Sequence, residues 1–388
     1  MQAKWLAKQE HEVHVITAMP YYPEWQIHGK YKGRKWFTEM LNGVQVHRCP
    51  LYVPQVVNSK KRIIHEFSFV LSSSFAWLRQ LFAKKADVVF CVAPPFHLNY
   101  LPVFYKFFKR TKLIYHIQDL QVDAAKDLGM IQNKAFLSLM FATERRLMKK
   151  SERVTSISEG MLNKIKAKGI SDAQVLFFPN WVDSNVIYPL SKENSLRKEL
   201  GIDMNAGVVL YSGNLGEKQG LEIIIEAAKD FKEEKNMLFL ICGSGGGKEK
   251  LMQLAQDAQL NNIRFLPLQP YEKLSALLAV ADIHLVLQKK SAADLVMPSK
   301  LTGILAAGGC ALVAAEPGTS LYEVINEYRA GILIEPESVE ALKAGIKNAL
   351  SADLDSFRKN ARAYAERFLD KEAILNTFQH ELNALTSR

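Results

Sequence analysis

The sequence of 388 residues contains no group of histidines, cysteines and carboxylates at metal-ligand spacing. That leaves metal-dependent chemistry without a ligand set. Its four cysteines, Cys49, Cys91, Cys242 and Cys310, lie far apart and form no CxxC pair. A disulfide scaffold, a zinc module and a thioredoxin-like site are thereby disfavoured, and reduced buried thiols are expected. The start, Met1 to Val13, is polar and helix-like, without the apolar core of a secretory signal. The most apolar long stretch, Phe67–Leu78, is too short and too rich in serine to span a bilayer. A cytoplasmic protein is expected, soluble or peripheral on the inner face of the plasma membrane. Acidic residues are scarce in one half only. Residues 1–180 hold 27 Lys+Arg against 13 Asp+Glu, a balance of +14, whereas residues 181–388 hold 23 against 27, a balance of −4. The first half therefore faces something anionic, such as a membrane surface or a phosphate-bearing acceptor. The positive charge is diffuse and no recognition module accompanies it, so nucleic acid is not an expected partner.

What is present is a repeating alternation of short apolar runs and amphipathic stretches. In the first half, 12–17, 44–48, 88–92, 112–117 and 153–157 read as strands, with helices over 63–83, 98–108, 134–149 and 160–168. The second half repeats the theme from Gly207 to Ala315. Such alternation predicts parallel sheets covered on both faces, in two Rossmann-like α/β domains facing each other across a cleft. Pro179 and Asn180 break the strand before them, which puts the boundary at 180/181. A second domain is expected over 181–370, and a last helix over 371–388, capped by Asp370, is expected to dock back on the first. A Rossmann-like domain ordinarily opens with a strand and a glycine-rich turn. Here the chain begins inside what reads as the first helix, so the first domain is expected to lack its opening strand and glycine loop.

Several segments are placed to carry chemistry. Tyr211 to Gly220 joins a strand to a helix through Gly213, Asn214 and Gly216, and Lys218 is available as a counter-charge for a diphosphate. Cys242 to Lys248 also follows a strand. It matches neither GxxxxGK[ST] nor GxGxxG, so Gly243 and Gly245 read either as a plain turn or as a direct ligand contact. Ser299 reads as an N-cap that presents the amides of Lys300 and Leu301 to an anion, with Lys300 as counter-charge. In the first half, Tyr115 to Asp123 closes a strand, and His116 and Gln118 share one face. His116 is either a proton-transfer group or a structural histidine. Tyr22, Trp25 and Phe96 follow strands in proline-rich loops and suit the wall of a sugar site, or mere loop packing. The stretches Lys60–Lys85 and Tyr105–Arg110 mix aromatic and basic residues. They read equally as membrane-surface segments or as helices packed on the sheet. Asp353-Leu354-Asp355 is a D-x-D with no strand before it, and is read as a decoy rather than a metal site.

The phrases HEVHVITAMPYYPEW, RCPLYVP, YHIQDLQVDAA, FFPNWVD, YSGNLGEKQGLE, MPSKLTGILAAGG and EPESVEAL run in order through nearly the whole chain. Together they resemble glycosyltransferase family four, of the GT-B fold, in its colanic-acid-type, fucosyltransferase-like branch. The resemblance implies retaining transfer from a nucleotide-diphosphate sugar, with no metal and no cofactor. The donor would be bound mainly by the second domain, and a lipid-diphosphate-linked saccharide by the first. It maps Gly213, Asn214, Lys218, Ser299, Lys300 and Leu301 to the donor diphosphate, and Gly243, Gly245 and Leu268 to the nucleoside side. His116 and Lys218 are the residues expected to act in catalysis, and Tyr22, Trp25, Phe96, Gln118 and Asp119 are expected on the acceptor side. Fucose on guanosine diphosphate is the sugar it suggests. The sequence departs from the family in three places. The paired glutamates would fall at Leu295 and Gly303, neither acidic. The strand-end His-Asp pair would align with Gln118-Asp119, moving the histidine to His116. The opening glycine loop is missing. A nucleotide-sugar epimerase or hydrolase on the same fold, and a non-catalytic binding protein, stand as alternatives.

Overall fold

A computed structural model of the protein describes residues 1–56, 58–127, 129–216, 219–290 and 298–387. The first half opens with α1 (Gln2–Lys8), β1 (Val13–Ala18), β2 (Phe37–Leu41), β3 (Val44–Cys49) and the long α2 (Ser59–Phe82). It continues through β4 (Val88–Ala93), α3 (Tyr100–Lys109), β5 (Lys112–Ile117), α4 (Gln121–Asp127), α5 (Lys134–Lys149), β6 (Arg153–Ser156), α6 (Glu159–Ala167) and β7 (Val175–Phe177). These strands form two sheets, β1-β3-β2 and a parallel β4-β5-β6-β7. One strand departs from the expected all-parallel pattern. β2 runs antiparallel to β3, with Leu41 opposite Val44. Asn42 and Gly43 make the connection with φ of 53° and 81°. An Asn-Gly pair with both residues in the left-handed region is the favoured two-residue hairpin turn, so the signal for β2 was in the sequence at Asn42-Gly43.

β1 and β4 are edge strands of these two sheets. Parallel strands in α/β domains are normally buried on both faces. Yet Val92, inside β4, is 43% exposed, and no residue of β1 is fully buried. By contrast, β5 is buried over Leu113–Ile117.

The second half follows one winding: β8 (Gly207–Asn214), α7 (Glu222–Asp230), β9 (Met237–Ser244), α8 (Lys248–Asp257), β10 (Ile263–Leu266), α9 (Leu274–Leu278) and β11 (Ile283–Val286). Then come α10 (Lys300–Ala306), β12 (Ala311–Ala314), α11 (Ser320–Tyr328), β13 (Gly331–Ile334), α12 (Val339–Ser351) and α13 (Asp355–Phe368). All pairings are parallel, in the order β10-β9-β8-β11-β12-β13. That is the doubly wound nucleotide-binding order, with its reversal between β8 and β11. Apolar residues on the two faces of this sheet fill two cores. One is built on Val208, Leu210, Leu240 and Val313, the other on Val209, Phe239, Ile241 and Leu312. Each fully buried side chain of this size contributes about 1.5–3 kcal/mol.

One cation is built into that domain. Arg197 is fully buried, and its guanidinium donates to the carbonyls of Val280 (3.0 Å), Asp203 (2.8 Å), Met204 (3.1 Å) and Ala206 (2.9 Å) and to the Asp282 carboxylate (3.0 Å). It ties the segment before β8 to the turn before β11.

The last helix, α14 (Lys371–Thr386), starts on an Asp370 cap, the carboxylate accepting from the Ala373 amide. It lies against the first domain. Leu375, Phe378 and Leu385 pack with Trp5, Ile114 and Phe178, and the Trp5 indole donates to Glu372 at 2.6 Å.

Candidate active site

The sheet reversal between β8 and β11 puts a crevice at the carboxyl end of β8. The chain leaves β8 at Gly213 and Asn214 and leaves β9 at Gly243 and Ser244, and these residues stand in register. Gly243 has φ of +155°, and a Cβ there would lie 1.9 Å from the Gly213 carbonyl oxygen. At Gly245, φ is +151°, and a Cβ would meet the Asn214 side-chain oxygen and the Leu215 carbonyl at 2.6 Å. Only glycine allows so close a backbone approach. The two turns are further stitched by Leu215 N–H to the Ser244 carbonyl (2.9 Å) and Gly247 N–H to the Leu215 carbonyl (2.8 Å). The two glycine-rich segments, brought side by side by the register of Gly213 with Gly243, are thus one platform.

Lys300, the first residue of α10, reaches this platform from the other side of the reversal. Its Nζ sits 3.6 Å from the centroid of the Tyr211 ring, beside Gly213. The amine is buried and has no hydrogen-bond partner among the described residues. Burial pulls its pKa down to about 7. A buried amine without a partner is costly, and an anion at the Gly213 turn would supply the missing one. Tyr211 serves twice: its ring faces the amine, and its hydroxyl donates to the Asn214 carbonyl at 2.8 Å, pinning the turn.

The start of α10 differs from the expectation. Ser299 has helical angles and its side chain makes no capping bond; its carbonyl instead accepts from the Thr302 hydroxyl at 2.8 Å. The Leu301 amide is spent on the Pro298 carbonyl at 3.0 Å, and the Leu301 side chain lies in the core. The anion cradle expected of the Leu301 amide is therefore not formed. The proline before Ser299 supplies the competing acceptor. Gly303 lies on α10, where an added Cβ would be in ordinary contact distance of Leu274 and Leu278. Leu268 is exposed just past β10, where the Cys242 thiol donates to the Pro267 carbonyl at 3.2 Å. Lys218 and Leu295 lie outside the described residues.

On the first domain, His116 ends inside the fold rather than at its surface. Its Nδ1 pairs with the Thr155 hydroxyl at 2.8 Å and its Nε2 with the Gln118 amide nitrogen at 2.9 Å. Because that amide nitrogen only donates, Nε2 accepts and Nδ1 carries the hydrogen. The ring is flanked by Phe90 and Phe178, at 5.4 and 5.3 Å, and burial lowers its pKa to about 4. Such a histidine is neutral near pH 7 with both nitrogens engaged. This corrects the expectation of a proton-transfer group: His116 orients Gln118, whose amide also donates to Asn180 at 3.5 Å.

Other acceptor-side candidates meet through α2. The Asp119 carbonyl accepts from Gln121 N–H (2.9 Å), and the Gln121 side chain accepts from Phe96 N–H (3.1 Å) and donates to Glu66 (3.5 Å). Next to Glu66, the His65 ring pairs with the Tyr52 carbonyl (2.5 Å) and the Tyr21 hydroxyl (3.0 Å), and Trp25 packs 5.3 Å away. Tyr22 is exposed beside them. Tyr211, Thr155, Asn180, His65 and Glu66 were missed by sequence reasoning. His65 and Glu66 stand in a stretch whose basic and aromatic composition pointed elsewhere.

The two domains touch where Gly160 N–H donates to the Ser320 hydroxyl at 2.7 Å. These residues open α6 and α11, just past β6 and β12, so the carboxyl ends of the two sheets face each other. Asp353 accepts from the Asp355 amide at 3.0 Å where α13 begins, so the D-x-D is a helix start. Among the described residues no three metal-ligating side chains gather.

The family description "Glycosyl transferase 4-like domain" matches residues 1–181, and "Glycosyl transferases group 1" matches residues 192–368. The chain is 42% identical, over 98% of its length and 93% of the relative's, to the putative colanic acid biosynthesis glycosyl transferase WcaI of Escherichia coli K12. In fold it is similar to sucrose-phosphate synthase from Thermosynechococcus elongatus, with a TM-score of 0.79 and 15% identity over 100% of this chain and 92% of that one. It is also similar to Anabaena HepE in complex with UDP and glucose, with a TM-score of 0.68 and 17% identity over 87% and 86%. With a 4-like first domain, a group 1 second domain and two Rossmann-like units facing end to end, the chain belongs to this family of glycosyltransferases of the GT-B fold.

Proposed function

We propose that the enzyme moves a sugar from a nucleoside-diphosphate donor to a lipid-diphosphate-linked saccharide, keeping the anomeric configuration. The observation that carries this reading is the amine of Lys300, without a hydrogen-bond partner among the described residues and buried over Tyr211 beside the stitched Gly213 and Gly243 turns. That is a site shaped for a diphosphate. In this reading residues 181–370 hold the donor, with Leu268 on its nucleoside side and Lys218 and Ser299 near the phosphates. Residues 1–180 hold the acceptor near Trp25, Tyr22, Phe96, Gln118 and Asp119, and 371–388 complete the first domain. His116 is a positioning residue acting through Gln118.

The bond from the sugar's anomeric carbon to the phosphate oxygen breaks, and its electron pair leaves with the diphosphate. Lys300 and the turn dipoles stabilise that charge as it grows. The acceptor hydroxyl bonds to the same face of the anomeric carbon and gives its proton to the departing phosphate oxygen. Closure of the two domains keeps water out.

The similarity to the Escherichia coli relative supports a role in making an exopolysaccharide of the colanic acid type. In this reading the transfer takes place at the cytoplasmic face of the membrane, with fucose on guanosine diphosphate as the leading donor.

The test is a panel of guanosine-, uridine- and thymidine-diphosphate sugars with lipid-diphosphate saccharides, the product's anomeric configuration being read by NMR. Transfer with the donor's configuration is expected. Inversion would overturn the mechanism. Fast consumption of donor without acceptor would favour a hydrolase or epimerase, and failure to bind any nucleoside diphosphate a non-catalytic protein.

A further inference from the structure

Helix α2 is amphipathic the wrong way round. The side it turns inward carries His65, Ser72, Ser73 and Ala76, small or polar residues that are all buried. The side it turns to solvent carries Ile63, Ile64, Phe67, Leu71, Phe75, Leu78 and Phe82, all between 46 and 91% exposed. Their spacing of three and four residues makes one stripe. Twenty-four residues at 1.5 Å each give it a length of about 36 Å. The stripe runs from the neighbourhood of Glu66 to the far end of the domain. There α3 packs beside α2 and adds exposed Phe104, Phe107 and Phe108. Between the two helices lies a groove of about 920 Å³, lined by Trp77, Leu78, Tyr100, Phe104 and Phe107. A continuous apolar surface of this extent on a soluble face marks a contact.

Charge says what the contact is. Cations stand at both ends of the stripe: Lys60, Lys61 and Arg62 at the start, and Arg79, Lys84 and Lys85 at the finish, with Lys109 and Arg110 beside them on α3. Glu66, the only acid on α2, is mostly covered and turned toward Gln121. A second copy laid on the stripe, parallel or antiparallel, would set cations against cations at both ends. An anionic surface would meet no such penalty. Among the described residues no helix is long and apolar enough to cross a membrane.

We propose that α2 lies in the plane of an anionic bilayer, with its apolar stripe and the α3 phenylalanines in the acyl boundary and the flanking cations at the headgroups. This builds on the lipid-linked acceptor reading and names the face that the protein turns to the membrane. It also sets the orientation. Glu66 and Gln121 lie near the start of α2, so acceptor-side groups are held close to the headgroup plane while the second domain stays away from it.

The test is flotation with vesicles of phosphatidylcholine alone and of phosphatidylcholine with about one-third phosphatidylglycerol, at physiological salt. The wild-type chain is expected to float with the anionic vesicles only, and less at higher salt. The double variant Leu71→Glu, Phe82→Glu changes two exposed side chains, so it should keep the wild-type melting temperature while its vesicle affinity falls at least about tenfold. A second double variant, Lys60→Glu with Lys85→Glu, should weaken binding and flatten its salt dependence. If the wild type floats and Leu71→Glu, Phe82→Glu floats equally, another face meets the membrane and this proposal fails, though the membrane reading stands. If the wild type does not float, both fail. If it instead sediments as a dimer that Leu71→Glu, Phe82→Glu dissolves, a second copy covers the stripe and the proposal is overturned. Calorimetric titration of guanosine diphosphate into the same samples reads the donor site separately.

Discussion

In the proposed donor site, Lys300 is the group whose charge would respond most to a bound diphosphate. Its pKa is pulled down to about 7 by burial. A bound diphosphate favours the ammonium form and pushes the pKa back up. Diphosphate binding should therefore be strongest below pH 7 and should weaken as pH rises through 7, by up to about tenfold per pH unit, until the pKa of the complex is passed. Calorimetry at pH 8 in buffers of different ionisation enthalpy should show close to one proton taken up per nucleotide bound. Lys300→Met should bind more weakly at pH 6.5 and show neither the proton uptake nor the pH slope. A second prediction concerns the platform. Gly243→Ala sets a methyl group 1.9 Å from the Gly213 carbonyl, so the two turns must part. Nucleoside diphosphate binding by calorimetry should be lost, while the circular dichroism spectrum stays that of a folded α/β protein.

At the scale of elements, the strands were legible wherever a run was apolar on both faces. β4 and β5 fall close to the expected spans for that reason. β2 was not read, because Phe37–Leu41 alternates in burial as an edge strand and its Asn-Gly turn went unused. Site residues were harder. Gly213 and Gly243 could be placed on turns because glycine marks a backbone demand. The partners of Lys300 and His116 could not, since Tyr211 and Thr155 are joined to them only by tertiary packing. The Ser299 side chain makes no capping bond, and the Leu301 amide it would serve is bound to the Pro298 carbonyl instead. The edges of β1 and β4 give a prediction of their own. In this 388-residue chain, amides of β4 should exchange with deuterium faster than those of β5, which is paired on both sides. Equal protection of the two strands would mean that something covers the β4 edge.

On the scale of the whole molecule, the two domains divide the labour and differ in what holds them together. The second domain depends on Arg197, whose buried guanidinium serves four carbonyls and Asp282. Arg197→Met leaves those acceptors and the carboxylate unpaired, and should destabilise the domain by about 3–5 kcal/mol in urea unfolding. The first domain depends on α14, which carries the chain back across the boundary to Trp5 and Phe178. Between the domains, the Gly160–Ser320 contact joins the start of α6 to the start of α11. The account therefore stands or falls on where a nucleoside diphosphate sits. Hydrogen–deuterium exchange with and without saturating guanosine or uridine diphosphate answers this in one experiment. Protection is expected at 211–216, 243–247 and the start of α10, with little change in β4 to β7. Protection confined to the first domain, or none with either nucleotide, would contradict it.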